Sequence, residues 1–296
     1  MKTSSPIIRL SLLITFALCL FSVGFSQTDT LSYFIETNDG NIYQGKIIEK
    51  NDIIIKLSTS NIGVISIQQN DIKKIHSIDN KKLKKGKYWK DNPQSTRYFF
   101  SPNGFGLKSG EGYYQNVWVL INSATIGVSD YFSLGLGMMP NFLFGGAPTP
   151  IWMTAKASIP VSKENLSFGI GALGGTVIGE KDTEFAILYG ITTVGNKDNN
   201  ISFGLGYGYA GDSWAKSPMI NVNFMFRTGP KGYIISENYY LRTGSYNNVL
   251  LSFGGRVIIK NAGLDYGLVI PIFGDMESLF AIPWLGITIP FGINKN

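Results

Sequence analysis

The chain has 296 residues, a formal charge of +6 and only 16% charged side chains, with 35 Gly and 13% aromatics. Ordinary soluble domains carry roughly 25% charge and about 7% Gly, so this composition excludes a disordered chain and argues against a coiled coil or an ordinary helical enzyme. The basic excess is local, since residues 98–296 hold 12 Lys/Arg and 12 Asp/Glu, and a main domain with no basic face predicts no nucleic-acid partner.

At the N-terminus, Lys2 and Arg9 precede the apolar run Leu10 to Phe21, and Gly24 and Ser26 are the small residues before a cut at Gln27. This order predicts a secretory signal peptide over residues 1–26. Leu18 precedes Cys19, where a lipoprotein signal would place a small residue. The mature chain then has no cysteine, so neither disulfides nor thiol chemistry are expected. No later stretch reaches about 18 consecutive apolar residues, which excludes a membrane-spanning helix but not a closed β-barrel.

Residues 27–78 read as a small β-domain. Short β-branched runs are separated by Asp39-Gly40 and Asn51-Asp52, both turn signals, and Gly45 in mid-strand permits a sharp bend. The order Asp39-Gly40, Gly45-Lys46-Ile47, a strand, a Gly63 turn and Asp71-Ile-Lys-Lys-Ile75 resembles the small SH3-like barrel of Sm-like proteins over about 48 residues. After a signal peptide, that resemblance implies a periplasmic protein-binding module or a plain spacer, not an RNA binder. His76, the only histidine in the chain, falls here and reads as a structural residue. Residues 79–96 follow as a basic linker, with Lys81, Lys82, Lys84, Lys85, Lys87 and Lys90 around Tyr88 and Trp89. It is either a solvated connector or a segment with Tyr88 and Trp89 at a membrane interface above anionic head groups.

Residues 97–296 carry a repeat. Phe132-Ser-Leu-Gly-Leu-Gly137, Leu166-Ser-Phe-Gly-Ile-Gly171 and Ile201-Ser-Phe-Gly-Leu-Gly206 are spaced by 34 and 35 residues, and each follows a short polar turn. Two strands, a short turn and a longer loop fill such a period, the hairpin unit of an up-and-down barrel. Along residues 201–210, Ile201, Phe203, Leu205, Tyr207 and Tyr209 share one face, opposite Ser202, Gly204, Gly206 and Gly208. Along 219–227, Ile220, Val222, Phe224 and Phe226 oppose Asn221, Asn223, Met225 and Arg227. Large apolar residues out and small or polar residues in is the pattern of a barrel in lipid.

Strands are predicted near 97–102, 112–128, 131–141, 150–160, 165–178, 184–194, 200–210, 217–227, 233–242, 249–259, 263–273 and 279–293. This makes an all-β chain with an antiparallel transmembrane barrel of about 12 strands, 10 being the alternative because the first two are the least regular. An even count returns the C-terminus to the side of the N-terminal domain.

The signal, the small β-domain, Arg97-Tyr-Phe-Phe-Ser-Pro-Asn-Gly-Phe105, Gly110-Glu-Gly-Tyr-Tyr-Gln-Asn116 and the Gly-rich hairpins resemble a family of uncharacterised outer-membrane β-barrel proteins of Gram-negative bacteria. The resemblance implies an outer-membrane location, with the N-terminal domain and the C-terminus periplasmic and lipids as partners. It implies no activity.

With His76 outside the barrel and no mature cysteine, histidine- and cysteine-based catalytic sites are excluded. No catalytic residue, metal or cofactor is expected, and the chain reads as non-enzymatic. Glu180, Asp182 and Glu184 read as a solvated outer loop. Lys156, Arg227, Arg256 and Asp265 fall on the inward face, Asp265 within reach of a diagonal pair with Arg256. They predict either ion pairing that fills the barrel or a narrow, anion-favouring pore. Trp152, Trp214 and Trp284, with Tyr113, Tyr114 and Tyr131, lie near strand ends as candidates for interface girdles. The alternative to a membrane barrel is a soluble secreted β-protein with a small-molecule cavity.

Overall fold

The computed structural model describes residues 32–78, 82–84, 87–162, 165–274 and 279–292. The signal peptide expected over residues 1–26 lies outside them. The chain divides into two compact units, Met1–Leu83 and Lys84–Asn296.

The first unit is a five-stranded antiparallel sheet. Its strands are β1 (Ser32–Thr37), β2 (Ile42–Lys50), β3 (Ile54–Thr59), β4 (Gly63–Gln68) and β5 (Ile72–Ile78), in the order β4-β3-β2-β1-β5. The first half of β2 pairs with β1 up to Gly45, and the second half pairs with β3 from Lys46 onward. The strand turns from one neighbour to the other at Gly45, where a Cβ would run into the Ser58 carbonyl, so only glycine fits the bend. Ile35, Ile55, Leu57 and Ile67 form a small core. His76 stands opposite Phe34 in the β1–β5 ladder.

The second unit is a closed antiparallel barrel of twelve strands. They are β6 (Gly112–Val117), β7 (Ile121–Gly127), β8 (Phe132–Met138), β9 (Thr149–Ser162), β10 (Leu166–Ile178), β11 (Phe185–Gly195), β12 (Asn199–Ala210), β13 (Met219–Arg227), β14 (Gly232–Thr243), β15 (Tyr246–Ile259), β16 (Ala262–Ile272) and β17 (Ile282–Phe291). Each pairs with its sequence neighbour, and β17 closes on β6 through Gly286↔Val117 to Phe291↔Gly112.

The count of twelve is reached differently from the sequence reading. Residues 97–102 form no barrel strand, and the run 112–128 is two strands. They are joined by Trp118–Leu120, with Trp118 at φ 51° and Val119 at φ 66°. Consecutive left-handed residues make a tight hairpin turn, here without the Gly or Asn that normally announces it. Asn116 and Asn122 hold it with side-chain bonds to the carbonyls of Val119 and Leu120, at 2.9 and 2.8 Å.

One end of the barrel carries short connections, among them Lys260-Asn261 between β15 and β16. The other end carries the longer ones, including 139–148, 211–218 and 273–281, together with the tight turns 118–120 and 244–245. Side-chain faces follow the alternation. Phe203, Leu205, Val222, Phe253, Leu268, Leu285, Ile287 and Ile289 face outward at 39–60% exposure, while Ser202, Asn223, Ser252 and Thr288 are buried inside.

Candidate functional site: a lumen holding an inserted segment

Inside the barrel lies residues 92–107, the chain's own segment. It enters at the short-turn end, reaches its deepest point near Phe99–Ser101 and returns to the same end before β6 begins. Composition explains why it fits. It is rich in backbone and amide groups that need partners, and the inward face of the strands supplies them.

The deepest turn is organised by Glu237 of β14. Its Oε2 accepts the backbone N–H groups of Phe99, Phe100 and Ser101, each at 2.9 Å, and its Oε1 accepts the Tyr239 hydroxyl at 2.9 Å. Three successive amides converge on one oxygen only where the backbone curls into a nest. An extended strand sends them to opposite sides, which is why 97–102 leaves the sheet. Asn221 and Asn223 donate to the Ser101 hydroxyl at 2.8 and 3.1 Å, and Gln115 donates to the Phe99 carbonyl at 2.7 Å. The Tyr98 hydroxyl donates to Asn200 Oδ1 at 2.7 Å, and the Gly104 N–H donates to Thr193 Oγ1 at 2.8 Å.

Arg256 fixes the entering strand of this segment. Its guanidinium pairs with Asp265 (Nε–Oδ1 2.6 Å, Nη2–Oδ2 2.9 Å). It also donates to Asn92 Oδ1, the Gln94 carbonyl, Gln94 Oε1 and the Tyr98 carbonyl at 2.8–2.9 Å. Arg256 and Asp265 stand directly opposite in the β15–β16 register, rather than diagonally as the sequence suggested. Lys156 of β9 donates to the carbonyls of Asn103 and Phe105 at 3.0 and 2.7 Å.

Arg227 lies at the short-turn end. It bonds both carboxylate oxygens of Asp198 at 2.9 Å and the Lys90 carbonyl at 2.6 Å, and its guanidinium carbon is 4.8 Å from the Trp89 ring centre. Of the four residues predicted to face the lumen, Lys156, Arg227 and Arg256 thus bond carbonyls of residues 90–105, and Asp265 pairs with Arg256. Lys90 itself has its pKa pushed down, first by burial and then by Lys231.

Of the predicted interface residues, Trp214 is half exposed on a two-residue strand, Ser213–Trp214, which pairs with the end of β12. Tyr88 is half-buried, and Trp89 packs under Arg227. Trp152, Trp284 and Tyr113 are corrections, because all three are buried inside the barrel. Trp152 stands on the inward row of β9 with Lys156 and Ser158, its ring over Gly137, where a Cβ would collide with it. Trp284 packs on Phe99 and Trp118 with ring centres 5.4 and 5.1 Å apart. Their parity along the strand outweighed their position near its end.

Above Phe99–Pro102, on the long-loop side, the lumen widens into a cavity of about 450 Å³. Its wall includes Ile121, Leu173, Ile187, Leu241, Leu250 and Val269, and its floor is the inserted segment. The inward rows change character toward this end. Asn223 and Asn221 give way to Met219, Ser252 to Leu250, Asp265 to Val269 and Thr288 to Trp284. Among the described residues, the one ionisable carboxylate on the lining is Glu237, already engaged by the inserted segment, and no lysine or arginine is on it. Among the described residues, no group of three or more His, Cys, Asp or Glu side chains is placed to hold a metal.

No family model matches the sequence, and no curated protein matches it. Two solved structures share a distant likeness. OpdQ of Pseudomonas aeruginosa has 9% identity and a TM-score of 0.36, and OmpT of Vibrio cholerae, expressed in the outer membrane, has 11% identity and a TM-score of 0.32. Each match covers 88% of this chain and 95% of the other. At these scores the barrel rests on the chain's own strand pairing. The expectation of a non-enzymatic chain is corrected here. The residue-type argument excluded only histidine- and cysteine-based sites. Glu237 now joins Asp265 as a second buried carboxylate in the lumen, so that exclusion is dropped.

Proposed function

We propose that this chain is an integral outer-membrane β-barrel protein, closed to free diffusion by residues 92–107, that holds a neutral apolar small molecule in the long-loop half of its lumen. The observation that carries this reading is the cavity itself. Its volume falls in the range of small-molecule sites, it is walled by aliphatic and aromatic side chains, and it is floored by the chain. The outward apolar belt supports the membrane location, since a soluble secreted protein would leave that surface in water. The end that carries only short connections is also the end where the inserted segment enters and where β17 finishes. By the usual asymmetry of such barrels this end faces the periplasm, with residues 27–78 as a periplasmic module able to meet a protein partner.

Membrane location is tested by carbonate extraction, which should leave the protein in the pellet, and by heat-modifiable gel migration. Ligand class is tested with naphthalene and the purified full chain in detergent. Saturable binding is expected, weakened roughly tenfold or more by Ile187→Trp, which fills the cavity, and unaffected by the outward-facing Leu188→Trp. Naphthoate, the charged analogue, should bind far more weakly. Binding that ignores Ile187→Trp, or naphthoate binding as tightly as naphthalene, refutes the reading.

A further inference from the structure

Among its described residues the barrel unit buries five charged residues, Arg97, Lys156 and Arg256 against Glu237 and Asp265, beside Arg227, whose buried side chain is ion-paired with Asp198. Arg256 and Asp265 are ion-paired. Both oxygens of Glu237 are taken by backbone amides and the Tyr239 hydroxyl. Lys156 bonds only backbone carbonyls, and no described carboxylate lies within ion-pair distance of it or of Arg97. Arg97 rests against the rings of Phe100 and Tyr113, at 5.5 and 5.9 Å, and its Nε is buried with no hydrogen-bond partner. Its residue is 8% exposed, as is Lys156.

Both cations border one small cavity of about 20 Å³, which the side chains of Thr125, Ser133 and Thr154 also line. That is room for a single particle of about the size of a water molecule. Buried charges are normally paired, and an unpaired one is costly. The five buried groups leave one positive charge in excess. A water molecule would accept a hydrogen bond but leave the charge, and a single monatomic anion is the smallest group that offsets it. A halide supplies one negative charge, an acceptor for Arg97 and further acceptor capacity for the hydroxyls.

We propose that the barrel holds one chloride ion in the cavity between Arg97, Lys156 and the Thr125, Ser133 and Thr154 side chains, where it joins the inserted segment to β7, β8 and β9. The site is separate from the apolar cavity and does not depend on that reading.

The test is urea unfolding of the full chain, refolded in detergent, in sodium chloride, bromide or gluconate at equal ionic strength. At halide concentrations ten times the dissociation constant, the folded-to-unfolded ratio of the wild type should exceed that in gluconate by about tenfold. Arg97→Met should be equally stable in all three salts. A second measurement needs no variant. Crystals grown in bromide should give an anomalous-scattering peak within hydrogen-bonding reach of the Arg97 guanidinium. Equal wild-type stability in the three salts, or a cavity without a bromide peak and so holding water only, overturns the proposal.

Discussion

Replacing Arg256 by Met tests how the inserted segment is held in the lumen. Methionine keeps an unbranched stem and removes the guanidinium. The change breaks a fully buried ion pair and leaves Asp265, 1% exposed, without its partner. Breaking a buried pair in this way costs about 3–5 kcal/mol, two to three and a half orders of magnitude in the folded-to-unfolded ratio. The same change deletes four hydrogen bonds to Asn92, Gln94 and Tyr98. The pair and the anchor separate in the double variant R256M/D265L. Two apolar residues of suitable volume remove the unpaired charge, so most of the lost stability should return. The four bonds to the inserted segment do not return. Urea unfolding in lipid vesicles reads the first effect and planar-bilayer recording the second. The wild type should show no steady conductance, and both variants should open. A loss under about 1 kcal/mol for R256M, a double variant as unstable as the single, or a wild type that conducts freely would refute the reasoning.

Glu237→Gln keeps the shape of the side chain but removes the charge that gathers three amides. A loss of about 1–3 kcal/mol is expected, with faster hydrogen exchange at Phe99, Phe100 and Ser101; unchanged exchange would show that the nest does not depend on Glu237. Val119 is a β-branched residue at φ 66°, a strained conformation that asparagine tolerates better. Val119→Asn should therefore raise stability by about 1 kcal/mol, and a destabilised variant would count against the left-handed turn. In the N-terminal sheet, the hydrogen bond and charge of Lys73 hold the Glu36 carboxyl below its ordinary pKa. A depressed carboxylate contributes stability above its unfolded pKa and loses it as pH falls through the folded value. Lys73→Ala should raise the Glu36 pKa in an NMR titration, and an unmoved titration would mean that the pair does not form in solution.

The sequence by itself determined the barrel, because alternation is a local property. Ile201, Phe203 and Leu205 opposite Ser202, Gly204 and Gly206 fix which face each side chain takes, and the 34-residue repeat fixes the hairpins. It also placed Lys156, Arg256 and Asp265 on the inner face. The gradient from Asn221 to Met219, and from Thr288 to Trp284, is legible along each inward row as well. What only the tertiary structure decided is the content of the lumen. Arg97 to Pro102 has the composition of a strand, and its departure from the sheet depends on a carboxylate at Glu237, 138 residues from Phe99. The turn at Trp118-Val119 carries no turn residue; Asn116 and Asn122 bond its carbonyls, and Trp118 packs on Trp284 from the last strand. Backbone groups must be satisfied somewhere, and sequence pattern shows where they can pair locally. Only closure of the barrel brings β6 beside β17 and Arg256 beside Gln94, so only the closed structure shows that a segment of the chain lies inside the lumen.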